Sequence, residues 1–171
     1  MNPFKNYYKR IIRQDFVNKC KTNHSEKLPN PEKITLNFGC KGFTLTKFAT
    51  TTLALEVIAK KKASITTSKK PNVLLNIQKG QPVGNKIELK KNRTYLFINN
   101  LLVLTQFKNF SGFRIKDRSI SYQLPKNAIK LQELEAQYPL FSELPVLDIT
   151  IFANSKGNSR LVFFTKSIKL I

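Results

Sequence analysis

The stretch from Ile65 to Lys91, ITTSKKPNVLLNIQKGQPVGNKIELKK, decides the architecture. Its second half alternates: Val83, Asn85, Ile87 and Leu89 fall on one side, Gly84, Lys86, Glu88 and Lys90 on the other. A period of two is the mark of a half-buried strand, here with a charged outer face. The first half opens with the β-branched run Ile65-Thr66-Thr67 and breaks at Lys69-Lys70-Pro71. Between the halves, Lys79-Gly80-Gln81-Pro82 punctuates rather than pairs. The stretch therefore predicts two strands joined by a long projecting hairpin loop, about residues 68–82, of a length at which a structureless loop serves a function or is disordered.

Upstream, residues 3–20 predict an amphipathic helix, with Phe4, Tyr8, Ile11, Ile12 and Cys20 recurring at helical steps and Pro3 suited to a first turn. Lys9, Arg10, Arg13 and Lys19 lie elsewhere on its surface, either solvated or meeting phosphate. Lys33 to Phe38 alternates again, so Ile34, Leu36 and Phe38 face a core while Lys33, Thr35 and Asn37 do not. Leu45 to Lys62 reads as a helix with an apolar stripe of Leu45, Phe48, Ala49, Leu53, Val57 and Ile58. Its threonines at 50–52 lower the propensity, so packing must hold it, and Lys60-Lys61-Lys62 complements the helix dipole.

Downstream, Asn92 caps a helix running to about Phe107, apolar on most sides. Lys108 to Arg118 interleaves Phe110 and Phe113 with four basic residues, the pattern that stacking on unpaired bases requires. The alternative is that both rings tuck into the core. Ser119 to Leu124 and Leu147 to Ala153 are strands, and a last helix spans Asn158 to about Ile168. The segment between, with Gln132, Glu133, Glu135 and Glu143, is the least basic and should face away from RNA. No repeat or linker divides the 171 residues, and one domain, 1–171, is expected.

Thirty Lys and Arg against ten Asp and Glu give a formal charge of +20, which points to a polyanionic partner, nucleic acid first. No apolar stretch has the length of a membrane span, and Met1 to Arg10 lacks a signal-peptide core. Cys20 and Cys40 lack ligand spacing, and His24 is the only histidine, so neither a metal nor a cofactor is expected. The acids are dispersed and no nucleophile motif occurs, so no enzyme is expected. Gly39-Cys40-Lys41-Gly42 is too short to be a nucleotide loop.

Three motifs in order, Glu32 to Gly39, Gly80 to Lys86 and Leu147 to Ile151, give the chain its resemblance to the large-subunit ribosomal protein L-five family. The match runs from Tyr7-Tyr8-Lys9 to the last helix. The resemblance implies an α+β fold: a curved, mainly antiparallel sheet with helices packed on one face. It implies a structural, rRNA-binding role in the central protuberance of the large subunit. The partners implied are large-subunit rRNA, 5S rRNA on the open sheet face, P-site tRNA at the loop, a small-subunit head protein and neighbouring large-subunit proteins. The RNA-facing candidates are Lys33, Thr35, Asn37, Lys41, Lys61, Lys62, Thr66, Lys86, Lys90 and Arg114. Those of the tRNA-facing loop are Lys69, Lys70, Asn72, Gln78, Lys79 and Gly80. By position, Asn37 matches a family asparagine that contacts 5S rRNA, Lys69 and Lys70 match the paired basic residues opening the loop, and Gly80, Pro82 and Gly84 match its closing turn.

The departures are as informative. Glu88 stands where the family usually has a threonine facing 5S rRNA, and Lys61 where it has a glutamine. A carboxylate turned toward phosphates needs a neutralising lysine such as Lys86 or Lys90. Leu74, Asn76, Gln78 and Gln81 make the loop less basic than its relatives', and the region from Phe110 to Tyr138 is recast. With a composition rich in Lys, Asn, Ile and Phe and no transit peptide, these erosions point to a member in the mitochondrial matrix, either organelle-encoded or trimmed of its leader; a plastid or bacterial cytoplasm is the alternative. A free-standing basic RNA chaperone or regulator is the competing class.

Overall fold

The computed structural model describes residues 3–20, 29–40, 44–105, 114–116, 118–124, 134, 138–154 and 158–168. The N-terminal helix comprises α1 (Pro3–Tyr7), a π-helical turn (Tyr8–Ile12) and α2 (Arg13–Cys20). Then follow β1 (Pro31–Gly39), α3 (Leu45–Ala59), β2 (Ser64–Thr67), a 3-10 turn (Val73–Leu75) and β3 (Pro82–Lys90). The rest is α4 (Asn92–Thr105), β4 (Arg114–Lys116), β5 (Ser119–Leu124), α5 (Tyr138–Phe141), β6 (Leu147–Ala153) and α6 (Asn158–Ser167).

The strands form one six-stranded sheet of order β2-β3-β1-β6-β5-β4, the expected α+β class. The β2–β3 and β4–β5 pairs are antiparallel. Single backbone bonds fix the directions of the others. Cys40 N–H donates to Val83 O, so the end of β1 meets the start of β3. Asn154 N–H donates to Asn30 O, and Ala153 N–H to Arg118 O, which make β6 antiparallel to both neighbours.

Two compact units divide the chain: Met1–Ile34 with Leu89–Tyr122 and Thr150–Ile171, and Thr35–Glu88 with Gln123–Ile149. The first is built on aromatic packing. Phe4 and Tyr8 set their rings 6.2 and 6.1 Å from Tyr95 of α4, and Tyr8 stands 6.3 Å from Phe164 of α6. Phe16 meets Phe163 edge-on at 5.3 Å, in the geometry the ring quadrupoles favour. The π turn explains how the N-terminal helix keeps its contacts. Phe4, Tyr8, Ile12 and Phe16 are all buried at four-residue steps. In a pure α-helix each such step overshoots a turn by about 40°. The wider π turn, closed by Arg13 N–H on Tyr8 O, takes up part of that drift. Ile11, expected inside, is left exposed, and Phe16 takes the place it was assigned.

In the second unit, Leu36, Phe38, Ile87, Leu147 and Ile149 bury the inward rows of their strands, as the alternation predicts. The stripe of α3 differs from expectation. Thr51, Ala54, Leu55, Ile58 and Ala59 are buried, while Leu45 is 85% exposed and Leu53 is also exposed. The helix ends at Ala59, with Lys60 in the left-handed region at φ 48°, so Lys61 and Lys62 lie beyond it. Glu56 takes up the N–H of Ala63 at 2.8 Å. Asn92 does not cap α4 from outside but lies within it, and its Oδ1 accepts from Lys5 Nζ at 2.8 Å.

Candidate nucleic-acid interface

In the second unit, the outward rows of β1 and β3 bring the sequence candidates together. Thr35, Asn37, Lys86 and Glu88 are all half-buried, between buried neighbours. The bond from Cys40 N–H to Val83 O brings the end of β1 beside the start of β3. β2 adds Ser64 opposite Lys86 and Thr66 opposite Gly84. Gly84 is required there: a Cβ would lie 2.5 Å from Phe38 O and 3.2 Å from Thr66 Oγ1.

The charges on this face are internally committed. Lys86 Nζ lies 2.9 Å from Glu88 Oε1. Lys61 Nζ donates to Glu88 O at 2.9 Å, and Ser64 Oγ to Lys86 O at 2.7 Å. Glu88 is thus neutralised by Lys86, one of the two lysines named from sequence. Lys61 reaches the strand backbone beside it. At the far end, Gln123 Nε2 donates to Asp148 Oδ1 at 3.0 Å. Ser64 was missed in the sequence because nothing marks a short strand's hydroxyl as paired.

Beneath this face lies a buried polar cluster. Asn85, fully buried, donates through Nδ2 to Thr51 Oγ1 at 2.9 Å, and Thr51 donates to Phe48 O at 2.8 Å. Cys40 Sγ stands 3.3 Å from the same hydroxyl, and burial pushes its thiol above the usual range. Among the described residues Asn85 Oδ1 has no hydrogen-bond partner. The alternation placed Asn85 inward but could not supply its partners, which come from α3.

The connection between β2 and β3 is ordered by its own hydrogen bonds rather than structureless. Ser68 N–H donates to Gln81 O, and Gly80 N–H to Ser68 O, each at 2.9 Å. Asn72 and Ile77 form a second small bridge around the 3-10 turn, and Gly80 takes φ +86°, open to glycine. Lys69, Lys70, Asn72, Gln78 and Lys79 are all exposed. So are Val73 and Leu74, at 88% and 94%.

In the first unit, Lys33 Nζ sits 4.8 Å from the centre of the Phe152 ring, a cation–π contact. Lys90 and Arg114 are exposed, Arg114 opposite Ser121. Phe152 was not singled out in the sequence, although the alternation of β6 puts it on the side of Asp148 and Thr150. Lys41 and the Phe110 and Phe113 of the basic–aromatic stretch lie outside the described residues. Among the described residues no helix is long and apolar enough to cross a membrane, and no group of three metal-ligating side chains occurs.

No protein-family model matches the chain. It is 30% identical over 163 residues to "Large ribosomal subunit protein uL5m" of Reclinomonas americana, covering 91% of this chain and 90% of that one. It is 30% identical over 161 residues to uL5 of Buchnera aphidicola subsp. Cinara cedri, covering 89% and 88%. It is 28% identical over 169 residues to uL5 of Francisella philomiragia, covering 94% and 92%.

Proposed function

The chain belongs to the uL5 family of large ribosomal subunit proteins, and from that premise we propose that it binds rRNA in the central protuberance through the outward rows of β1 and β3. It is a structural, non-enzymatic constituent of the large subunit. The observation that carries the interface reading is the row of Thr35, Asn37 and Lys86, polar and half-buried on strands whose other side is core, with half-buried Thr66 beside it on β2. A strand face that spends four positions on polar groups serves a polar partner. The RNA is 5S rRNA, or the RNA that replaces it where 5S rRNA has been lost. The loop with Lys69, Lys70 and Lys79 faces P-site tRNA, and the protein meets the small-subunit head and neighbouring large-subunit proteins. Its ribosome is mitochondrial, a reading supported by the uL5m relative.

Sedimentation at rising salt tests this. Phosphate contacts weaken steeply with salt, so the protein should travel with the large subunit at low salt and leave it only when salt is high. A protein found mainly free at low salt, stable on its own, would favour the RNA chaperone reading instead.

A further inference from the structure

The exposed side of the N-terminal helix carries a concavity of about 420 Å³, lined among the described residues by Lys9, Arg13, Gln14, Val17 and Asn18. It lies in the first unit and includes none of the residues of the β1–β3 face. Lys9 and Arg13 are one i, i+4 pair, and Gln14 and Asn18 are the next. Such pairs stand about 5–6 Å apart at Cβ on one helix face. A cationic row therefore runs beside an amide row, with the half-open Val17 between the two turns.

The other lysines of this helix are occupied. Lys5 bonds Asn92, and Lys19 stands 5.1 Å from the Phe163 ring. Among the described residues, no acid pairs with Lys9 or Arg13. The helix's one acid, Asp15, does not line the concavity. The π turn closes on Arg13 itself, and wide turns of this kind recur at functional sites.

We propose that this concavity is a second rRNA-backbone site, separate from the sheet face: Lys9 and Arg13 neutralise phosphates while Gln14 and Asn18 bond ribose or base edges. The charge is wrong for an anionic protein rim alone, since the amide row offers both donors and acceptors where a carboxylate rim would call for further cations. Ribose and base edges present both. The inference rests on the rRNA-binding reading.

The test is binding of the full chain, across a salt series, to a transcript of the large-subunit rRNA of its own ribosome. Lys9→Gln with Arg13→Gln should lower affinity at least tenfold at about 0.1 M salt, and flatten the slope of log K against log salt by about 1.4–1.8. Gln14→Ala with Asn18→Ala should weaken binding several-fold and leave the slope unchanged. Arg10→Gln, on the same helix but outside the concavity, should change neither. Equal effects from Arg10→Gln, or no effect from the double variants, would overturn the site. A Lys9/Arg13 variant that binds the transcript normally yet fails to join the subunit would assign the concavity to a protein neighbour and also overturn it. If the wild type does not bind the transcript, both this site and the rRNA reading fail. If Lys86→Gln weakens binding and the helix variants do not, only this site fails.

Discussion

Lys86 and Glu88 stand two residues apart on the same side of β3, and the ammonium of one lies 2.9 Å from the carboxylate of the other. The pair turns what would be a cationic strand face into a locally neutral one. Its partial exposure makes it worth only about 0–1 kcal/mol to folding. Its larger effect is on any anion that approaches, because the Glu88 carboxylate offsets the charge of Lys86 and takes up part of its donor capacity.

Glu88→Thr should therefore leave the midpoint of urea unfolding nearly unchanged and raise affinity for large-subunit rRNA. The slope of log K against log salt should steepen by about 0.7–0.9, one added phosphate contact. Salt-titrated binding measures it. An unchanged slope would mean that Lys86 does not face RNA.

Gly84 and Gly39 make a matched pair of tests. A Cβ on Gly84 meets the Phe38 carbonyl at 2.5 Å, while one on Gly39 meets nothing within 4 Å. Gly84→Ala should cost about 1–3 kcal/mol, the usual scale of overpacking. Gly39→Ala should stay within about 0.5 kcal/mol. Chemical denaturation of the two variants checks the contrast, and equal losses would argue against the close approach of β1 and β3.

The cluster of Thr51 and Asn85 predicts coupling. Thr51→Val removes the 2.9 Å acceptor of Asn85 Nδ2 and leaves that group only its longer bonds to Phe48 O at 3.5 Å and Cys40 Sγ at 3.9 Å, at about 0.5–1.5 kcal/mol. Asn85→Leu discards that donor and the orphaned Oδ1 together. The double variant should recover most of the loss caused by Thr51→Val. A double-mutant cycle read by urea unfolding would show additivity if the bond did not exist.

Burial pushes the phenols of Tyr8 and Tyr122 up to about 12 from 10.0. The folded state holds these protons more tightly than the unfolded chain. Their contribution is complete below pH 10, falls as pH rises from 10 through 12, and is gone above. Tyr8 costs about 1.4 kcal/mol per pH unit inside that window, and Tyr122, whose phenol is more screened by solvent, costs less. Tyr8→Phe should make alkaline destabilisation shallower. It should also cost about 1 kcal/mol at neutral pH, since Tyr8 Oη donates to Pro29 O at 2.9 Å. Unfolding curves at pH 7, 10 and 11.5 separate the two effects.

The strands were legible because a period of two leaves little choice: Ile34, Leu36, Phe38, Ile87 and Leu89 are buried where alternation places them. Helix α3 was misread because apolar residues surround it. Leu45 and Leu53 outrank Thr51 on any apolar scale, yet Thr51 is buried because its hydroxyl is satisfied by Phe48 O and Asn85. Tertiary partners, invisible locally, chose the face. Ile11 lies outside for a different reason: an α-helical period does not hold across a turn that is π. At the site, charge and spacing narrowed Glu88's partner to Lys86 or Lys90, and the structure pairs it with Lys86. The role of Lys61 did not, since its target is a backbone carbonyl 27 residues away.

The most direct test is cross-linking and sequencing of RNA bound to this protein in intact ribosomes, with the cross-linked peptides mapped. Large-subunit RNA, 5S rRNA or its replacement should be found joined to peptides of β1 and β3 that contain Asn37 and Lys86. Cross-links from those strands chiefly to messenger or small-subunit RNA, or to none, would contradict it.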